Sequence, residues 1–316
     1  MPGKPDSFAQ FDNLLAQRLA QDDLPWSASS GKYIPDLDLF RDLLTIPIRA
    51  GESQESGRPA KALDAWIAHE LRRTGFPPDA VWPRLRRPRV LAEGLDQLEQ
   101  SVDRLGQQLA SHESQQGKLH RDLRKAIRDV ETAVPGKHEA YILGDFYAKQ
   151  IDVGMSSWQR GPDLLISTKT MFSAYRKNLK NRHEEAVGEV SSLRRRHPMA
   201  AMGYAYLVRG NLFDEDGAYA ILNDILTRLR RPSEAFDATM LLVADWDETA
   251  ESPTIAGISE PAAHLTASIF FTDLIDAVTS RSPISEHQAV RLRRDGEPPG
   301  GQAPDDAFDL ADENDV

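Results

Sequence analysis

Cysteine is absent from this 316-residue chain, which excludes disulfide bonds and metal sites built on thiolates. No apolar run approaches the roughly 20 residues that a membrane-spanning helix needs, and the first residues lack the apolar core of a secretory signal. The histidines show no metal-ligand spacing, and the chain contains neither a glycine-rich phosphate loop nor a Gly-x-Ser-x-Gly motif. These absences predict a soluble cytoplasmic protein with no membrane partner.

The net charge of −11 is unevenly distributed along the chain. Residues 297–316 contain seven acidic residues and no Lys or Arg, so residues 282–316 are predicted to form a disordered acidic tail. Between Arg160 and His197, nine Lys and Arg stand against four Asp and Glu. The acidic total therefore conceals a basic middle, where an anionic partner could bind.

The first part of the chain is predicted to be helical. Residues 1–90 contain segments with apolar residues spaced at three and four, which is typical of short helices. Residues 91–134 carry a similar apolar stripe and are predicted to form one long coiled-coil-like helix or a helical hairpin, which ends at Val134-Pro135-Gly136. Such a stripe buries against a partner helix, either from the same chain or from the second subunit of a homodimer. Near the end of residues 1–90 lie four arginines, predicted to belong to a solvated linker rather than a phosphate-contacting patch: Arg84, Arg86, Arg87 and Arg89.

Residues 137–281 are predicted to form an α/β core. Three apolar strands, in "PDLLISTKTM", "MAAMGYAYLVRG" and "DATMLLVADWD", alternate with amphipathic helices. Strands and helices that alternate in this way indicate a sheet covered by helices on both faces.

The strand "GPDLLISTKTM" carries charges that a buried strand does not ordinarily tolerate. Because side chains alternate faces along a strand, Asp163, Ser167 and Lys169 are predicted to share one face. A carboxylate could hold a magnesium ion there, while the lysine could orient the attacking water in phosphodiester hydrolysis. A single carboxylate is usually too few for a magnesium site, so a second acid is expected nearby.

The "PD" followed by a strand that ends in "STK" resembles the PD-(D/E)xK nuclease superfamily, which includes many type II restriction endonucleases. The resemblance implies a restriction-endonuclease-like mixed sheet flanked by helices. In the usual pattern an acid stands two residues before the lysine, where this chain has Ser167, and this departure resembles the subgroup whose second acid lies on the following helix. Because Asp163 and Lys169 are unusually close in sequence, Asp145 or Asp152 is the alternative first acid.

The helix after the lysine strand offers the second acid. Helical register and the resemblance together favour Glu185, then Glu189, with Glu184 on the opposite side; each is alternatively a surface glutamate paired with a neighbouring cation. The same helix carries seven cations, predicted to bind DNA or to be a solvated face: Arg176, Lys177, Lys180, Arg182, Arg194, Arg195 and Arg196. Weaker acidic candidates are Glu139, Asp245 and Asp247.

The resemblance predicts a magnesium-dependent DNA endonuclease of restriction or phage-defence type, with Mn²⁺ as a plausible substitute metal. Asp163 and Glu185, or Glu189, would bind the metal, Lys169 would activate water, and Ser167 would fill the vacated acid position. The expected partners are duplex DNA and a second copy of the chain or a larger defence complex. The alternative, which the missing acid favours, is a catalytically silent DNA-binding or assembly protein that retains the nuclease fold.

Overall fold

A computed structural model describes residues 6–21, 23–85, 87–90, 102, 118, 120–126, 139–157, 160–232 and 235–296. The α-helices whose bounds lie among these residues are α1 (Asp12–Leu19), α2 (Leu37–Arg49), α3 (Arg58–Arg73), α4 (Tyr175–Arg196), α5 (Ala218–Leu229), α6 (Ala267–Arg281) and α7 (Gln288–Arg294). The strands are β1 (Val81–Trp82), β2 (Ala140–Leu143), β3 (Ala148–Ile151), β4 (Val153–Ser157), β5 (Gly161–Met171), β6 (Ala201–Arg209), β7 (Ala238–Asp245) and β8 (Gly257–Ser259).

Six of these strands form one mixed sheet in the order β1-β4-β5-β6-β7-β8. The central strands β5, β6 and β7 are parallel and are joined by α4 and α5, whereas β4 and β8 pair antiparallel at the two sides. β2 and β3 form a separate hairpin. The predicted α/β core with three principal strands and crossover helices is confirmed.

Alternating side chains of β5 bury against different helices on the two faces of the sheet. Leu164 and Ile166 belong to the cluster that contains the apolar residues of α2, α3 and α6. Leu165 belongs to the cluster that contains those of α4 and α5. Because both faces are covered, polar side chains on β5 reach water only near the strand ends.

The N-terminal helices belong to the same core as the sheet. Leu43 of α2 and Trp66 of α3 are fully buried in the cluster that includes Ile166 of β5. The boundary predicted at residue 90 therefore does not separate two cores, because the apolar stripes of α2 and α3 cover one face of the sheet.

Two predicted segments fall largely outside the described residues. Of the long helix predicted within 91–134, the structure describes residues 102, 118 and 120–126, which are helical. The acidic residues of 297–316 are likewise outside the description. Within the predicted tail, however, α7 is ordered by burial of Val290 in the core. In the described part of the chain, none of the helices combines the length and apolar character needed to cross a bilayer.

Candidate active site

Two aspartates from distant parts of the chain converge on Thr168, the residue before Lys169. The Thr168 hydroxyl donates a hydrogen bond of 2.6 Å to Oδ1 of Asp64 in α3. The Thr168 backbone N–H donates one of 2.9 Å to Oδ2 of Asp152, which lies in the bend between β3 and β4. One threonine thus connects a carboxylate of the helical layer with a carboxylate beside the sheet.

Helix α3 positions Asp64 from within its buried face. Leu63, Trp66 and Ile67 are fully buried beside it, and Asp64 itself is 0% exposed. Its Oδ2 receives the Lys61 ammonium at 2.9 Å, three residues earlier on the same helix. Asp64 is therefore a buried carboxylate with a partner on each oxygen, held rigidly by the packing of α3 against the sheet.

The environment of Asp152 does not fully compensate its charge. Burial raises the pKa of Asp152, and the neighbouring Asp64 carboxylate raises it further, whereas Lys169, Lys61 and the Thr168 amide lower it; the result is a pKa of about 6. Two like charges close together in a poorly hydrated site disfavour the ionised form in this way. A proton or a cation bound at Asp152 would therefore stabilise the Asp64–Asp152 pair.

Lys61 and Lys169 supply the positive charge of this cluster. Burial lowers the pKa of Lys61, but the charges of Asp64, Asp152 and Glu139 outweigh that effect and raise it overall. The Lys61 ammonium also lies 5.2 Å from the centre of the Phe8 ring. Lys61 is thus an ammonium fixed beside Asp64, while Lys169 reaches the cluster from the end of β5.

The predicted residue Asp163 lies at the other end of β5 from Lys169. Six residues of a strand span about 20 Å, so a shared face does not bring the two side chains together. The Asp163 carboxylate instead accepts two hydrogen bonds from Arg160, at 3.1 and 2.9 Å. The metal-binding assignment of Asp163 is therefore not supported by its position, and the alternative acid Asp152 is the one beside Lys169.

Ser167 and Glu189 meet on the face of the sheet that α4 covers. The Ser167 hydroxyl donates a hydrogen bond to Glu189, and Ser167 is buried. This contact places a helix carboxylate beside the position where the resembling family usually has an acid. Of the predicted helix glutamates, Glu189 is the one that reaches β5.

Glu185 and Glu184 lie at the surface of α4. Glu185 pairs with Arg182 at 2.7 Å, and Glu184 lies 3.9 Å from Lys180. Both glutamates are exposed, which matches the alternative in which they are surface residues. The preference for Glu185 over Glu189 is thus not supported by the contacts, because the helical register directs Glu185 toward solvent.

The predicted DNA-binding cations of α4 divide into buried and exposed groups. Arg194 bonds Asp237 at 3.0 Å and two backbone carbonyls, so its guanidinium is committed to the protein interior. Arg195 pairs with Asp145 at 3.3 Å. Apart from Arg182, Arg194 and Arg195, the other four predicted cations of α4 are exposed to solvent: Arg176, Lys177, Lys180 and Arg196.

Of the four arginines near the first strand, Arg84 and Arg89 are not part of a solvated linker. Arg87 is exposed, and Arg86 lies outside the described residues. Arg84 and Arg89 are each 1% exposed.

Arg89 bonds the carboxylates of Asp6 and Asp12, and Arg84 contacts Asp79. The prediction fails for Arg89 because Asp6 and Asp12, far away in sequence, pair with its guanidinium. It fails for Arg84 because the fold buries this side chain beside Asp79, five residues earlier.

Of the weaker acidic candidates, Glu139 lies beside the cluster around Thr168, whereas Asp245 and Asp247 lie apart from it. Glu139 lies directly before β2, and its charge acts on Lys61. Asp145, the other alternative first acid, lies in the turn between β2 and β3 and pairs with Arg195. Asp245 ends β7, and Asp247 caps the following loop by accepting hydrogen bonds from Thr249.

Sequence reasoning missed Asp64 and Lys61. The available signal was an aspartate inside the apolar face of "KALDAWIA", where a helix that packs on a core would not ordinarily carry a charge. Nothing in the local sequence connects that aspartate with a strand 104 residues later.

The described residues contain no group of three or more His, Cys, Asp or Glu side chains able to hold a metal ion. Magnesium often takes one or two protein carboxylates and completes its shell with water and substrate phosphate oxygens. Asp152, with Asp64 as its acidic neighbour, supplies that number, although both oxygens of Asp64 already have partners. Among these residues, Asp152 Oδ1 receives no hydrogen bond and is the oxygen most available to a cation.

No protein-family model matches this chain, and neither a curated protein nor a solved structure is significantly similar to it. What the chain does must therefore be inferred from its own residues.

Proposed function

We propose that this protein is a magnesium-dependent DNA endonuclease that hydrolyses phosphodiester bonds at the Asp64–Asp152–Lys169 cluster. One observation carries the proposal: Thr168 holds two carboxylates beside a lysine, and the pKa of Asp152 stays near 6 because burial and Asp64 leave its charge uncompensated. Perturbed carboxylates of this kind are concentrated at functional sites. The fold of restriction endonucleases, a mixed sheet flanked by helices, is part of the same proposal.

Each residue of the cluster would have a distinct part in the reaction. Asp64 and Asp152 would hold Mg²⁺, or Mn²⁺ in its place, and the bound ion would neutralise charge on the phosphate and activate water. Lys169 would orient that water and offset the developing charge on the phosphate oxygens. Lys61 would hold the Asp64 side chain in position through its 2.9 Å ion pair. Exposed cations of α4, including Arg176 and Lys177, would contact the flanking phosphates.

A cleavage assay with the full chain tests this proposal. Varied duplex DNAs, supercoiled and linear, are incubated with Mg²⁺ or Mn²⁺ and the full chain, Lys169→Ala or Asp152→Asn. We expect each substitution to slow cleavage by about 100-fold or more, because a lost transition-state or metal contact typically has that effect.

Asp163→Asn is the matched control, because it neutralises a carboxylate on the same strand but at the opposite end. We expect its cleavage rate to stay within about twofold of the unmodified chain, as is usual away from a site. The proposal is wrong if the Lys169 and Asp152 variants cut normally, or if the unmodified chain cuts none of the DNAs with either metal.

A second function, a silent DNA-binding or assembly protein of a defence complex, is favoured by the absence of a third metal-binding side chain among the described residues. Ser167 in the usual acid position supports it as well. This reading predicts that Asp64→Asn and Asp152→Asn leave Mg²⁺ affinity unchanged while DNA binding persists. Calorimetric titration of Mg²⁺ beside a DNA-binding assay separates the two functions.

A further inference from the structure

A cavity of about 200 Å³ lies at the carboxyl-terminal ends of α1, α3 and α7, away from the candidate active site. Arg72 in its wall is about 12 Å along α3 from Asp64. The charged residues of the lining are four arginines and two aspartates: Arg18, Arg72, Arg73, Arg293, Asp23 and Asp36. The volume lies below the ~300–1,000 Å³ of pockets that enclose drug-sized ligands. The cavity therefore suits a small molecule or the end of a larger one.

Arg72 is buried at this cavity without an acidic partner. It is 4% exposed, and it forms no ion pair with any residue that the structure describes. Its Nε and Nη2 donate hydrogen bonds to the backbone carbonyls of Pro78, Val81 and Pro83. A guanidinium bonded only to neutral acceptors keeps its charge in a poorly hydrated place, which is unfavourable unless an anion compensates it.

Positive charge is in excess around the end of α3. Burial lowers the pKa of Arg72 to about 9, and the charge of Asp79 opposes this effect only in part. His69, one turn earlier on the helix, is fully buried, and neither of its ring nitrogens has a hydrogen-bond partner within the described part of the chain. Burial and then the charges of Arg73 and Arg72 lower the pKa of His69 to about 3, against the opposing charge of Asp36.

Two guanidinium groups in the cavity wall have N–H groups left for a ligand. Arg72 Nη1 makes no hydrogen bond with the described residues, and it is not among their sealed, unpartnered nitrogens. The hydrogen bonds of Arg73 all come from Nη1, which donates to Glu70 and to the Ile34 carbonyl oxygen. Guanidinium N–H groups match the oxygens of phosphates and carboxylates in geometry and in charge.

The two aspartates of the lining do not supply the missing partner. Asp36 accepts hydrogen bonds of 2.6 and 3.1 Å from Arg18 and a third from the Leu39 N–H. Asp23 is exposed, and its charge acts on Arg18 rather than on Arg72. An anion in the cavity would be repelled by Asp23, so the strength of that repulsion can be measured by removing this one charge.

We propose that the cavity binds inorganic phosphate or a terminal phosphate group, held by the guanidinium groups of Arg72 and Arg73. Consecutive residues of a helix project about 100° apart, so the two groups approach the cavity from different directions. A tetrahedral oxyanion presents oxygens to both, whereas a planar carboxylate is matched by a single guanidinium. The inference goes beyond the proposed nuclease function, because the cavity shares no residue with the Asp64–Asp152–Lys169 cluster.

Calorimetric titration of inorganic phosphate into the full chain, without divalent metal, tests the inference. Sodium chloride at the same ionic strength is the blank, and we expect saturable binding of one phosphate. Arg72→Gln should weaken this binding by about tenfold or more, a loss typical of a hydrogen bond to a charged group. Because Arg72 is buried, circular dichroism first checks that this variant is folded.

Asp23→Asn tests the same site through an exposed position that does not support the core. Removing a negative charge beside the bound anion should strengthen phosphate binding by about threefold or more. Asp224→Asn is the matched control, because Asp224 is an exposed acid of α5 outside the cavity lining. Its affinity for phosphate should equal that of the unmodified chain.

A short oligonucleotide with and without a 5′-phosphate distinguishes the two sources of the phosphate group. Competition with inorganic phosphate by the phosphorylated form alone indicates a terminal phosphate, and competition by neither form indicates the free ion. Equal competition by both forms overturns the inference.

Arginines in the last turn of a helix also offset the partial negative charge of its carbonyl end. If that is the whole role of Arg72, phosphate binds no better than chloride. That result overturns the inference and leaves the nuclease proposal standing, as does unchanged phosphate affinity in folded Arg72→Gln or in Asp23→Asn.

Discussion

Asp237 and Asp152 are both largely removed from water beside the same sheet, but the protein treats their charges in opposite ways. Asp237 accepts hydrogen bonds from Arg281 at 2.5 Å, Arg194 at 3.0 Å and the Met202 amide at 2.8 Å. Burial raises the pKa of Asp237, yet these partners outweigh it and hold the pKa below its ordinary value. Its charge is neutralised by groups of the protein itself.

Among the residues that the structure describes, no arginine contacts Asp152 in that way. Its closest described donor is a backbone amide, and its nearest acidic neighbour is Asp64, which Lys61 already pairs. The difference separates an acid that holds the structure together from an acid whose charge still needs a partner. The second kind is typical of sites that bind cations or protons.

The largest effect that this comparison predicts is on stability at Asp237. Asp237→Asn leaves Arg281 and Arg194 without their common carboxylate, so we expect the free energy of unfolding to fall by about 3–5 kcal/mol. Urea unfolding followed by circular dichroism measures it. Asp224→Asn is the control, because Asp224 forms an exposed pair with Arg228 and should change stability by less than about 1 kcal/mol. Equal losses in the free energy of unfolding for the two variants would contradict the structural role of Asp237.

For Asp152→Asn we expect a smaller change in the free energy of unfolding, and of opposite sign. Because the pKa of Asp152 is raised to about 6 in the folded state, the folded protein holds this proton more tightly than the unfolded chain does. The stabilisation that this bound proton contributes is therefore complete below about pH 4 and is lost as the pH rises through about 6. Asparagine cannot ionise, so relative to the unmodified chain this variant should gain about 1–3 kcal/mol between those limits.

Urea unfolding without divalent metal, at about pH 4 and again at about pH 7.5, checks this prediction. The quantity compared is the difference in free energy of unfolding between Asp152→Asn and the unmodified chain. A difference that does not change with pH would show that Asp152 ionises freely in the folded protein.

The smallest effect distinguishes the two glutamates of α4. Glu189→Ala removes the acceptor of the buried Ser167 hydroxyl, so we expect a loss of about 1–2 kcal/mol. Glu185→Ala removes an exposed partner of Arg182 and should cost less than about 1 kcal/mol. Thermal unfolding of both variants measures the two losses of stability. A larger loss for Glu185→Ala than for Glu189→Ala would favour Glu185, as the sequence predicts.

The sheet and its crossover helices could be predicted because their signals are local. Apolar runs such as "PDLLISTKTM" mark strands, and apolar spacing in "AYAILNDILTRL" marks a helix, whatever the rest of the chain does. The candidate site could be predicted in part. Lys169 and the alternative acid Asp152 lie together, whereas Asp163 was favoured by its place in a motif and is separated by the length of the strand.

The remainder of the site depends on contacts between distant segments. Asp64 reaches Thr168 because α3 packs on β5, and no local pattern specifies that packing. The same limit explains Arg89, whose guanidinium pairs with Asp6, 83 residues earlier in the chain. Burial of a charge is a property of the folded chain, so it could not be read from neighbouring residues.

Anomalous diffraction from crystals of the full chain grown with Mn²⁺ tests the central claim most directly, because it locates the ion without depending on catalysis. The account predicts a peak bonded to carboxylate oxygens of Asp64 and Asp152, beside Lys169, and absent from crystals of Asp152→Asn. A peak at Asp163 or on the surface glutamates of α4, or no peak near Thr168 at saturating Mn²⁺, would contradict it.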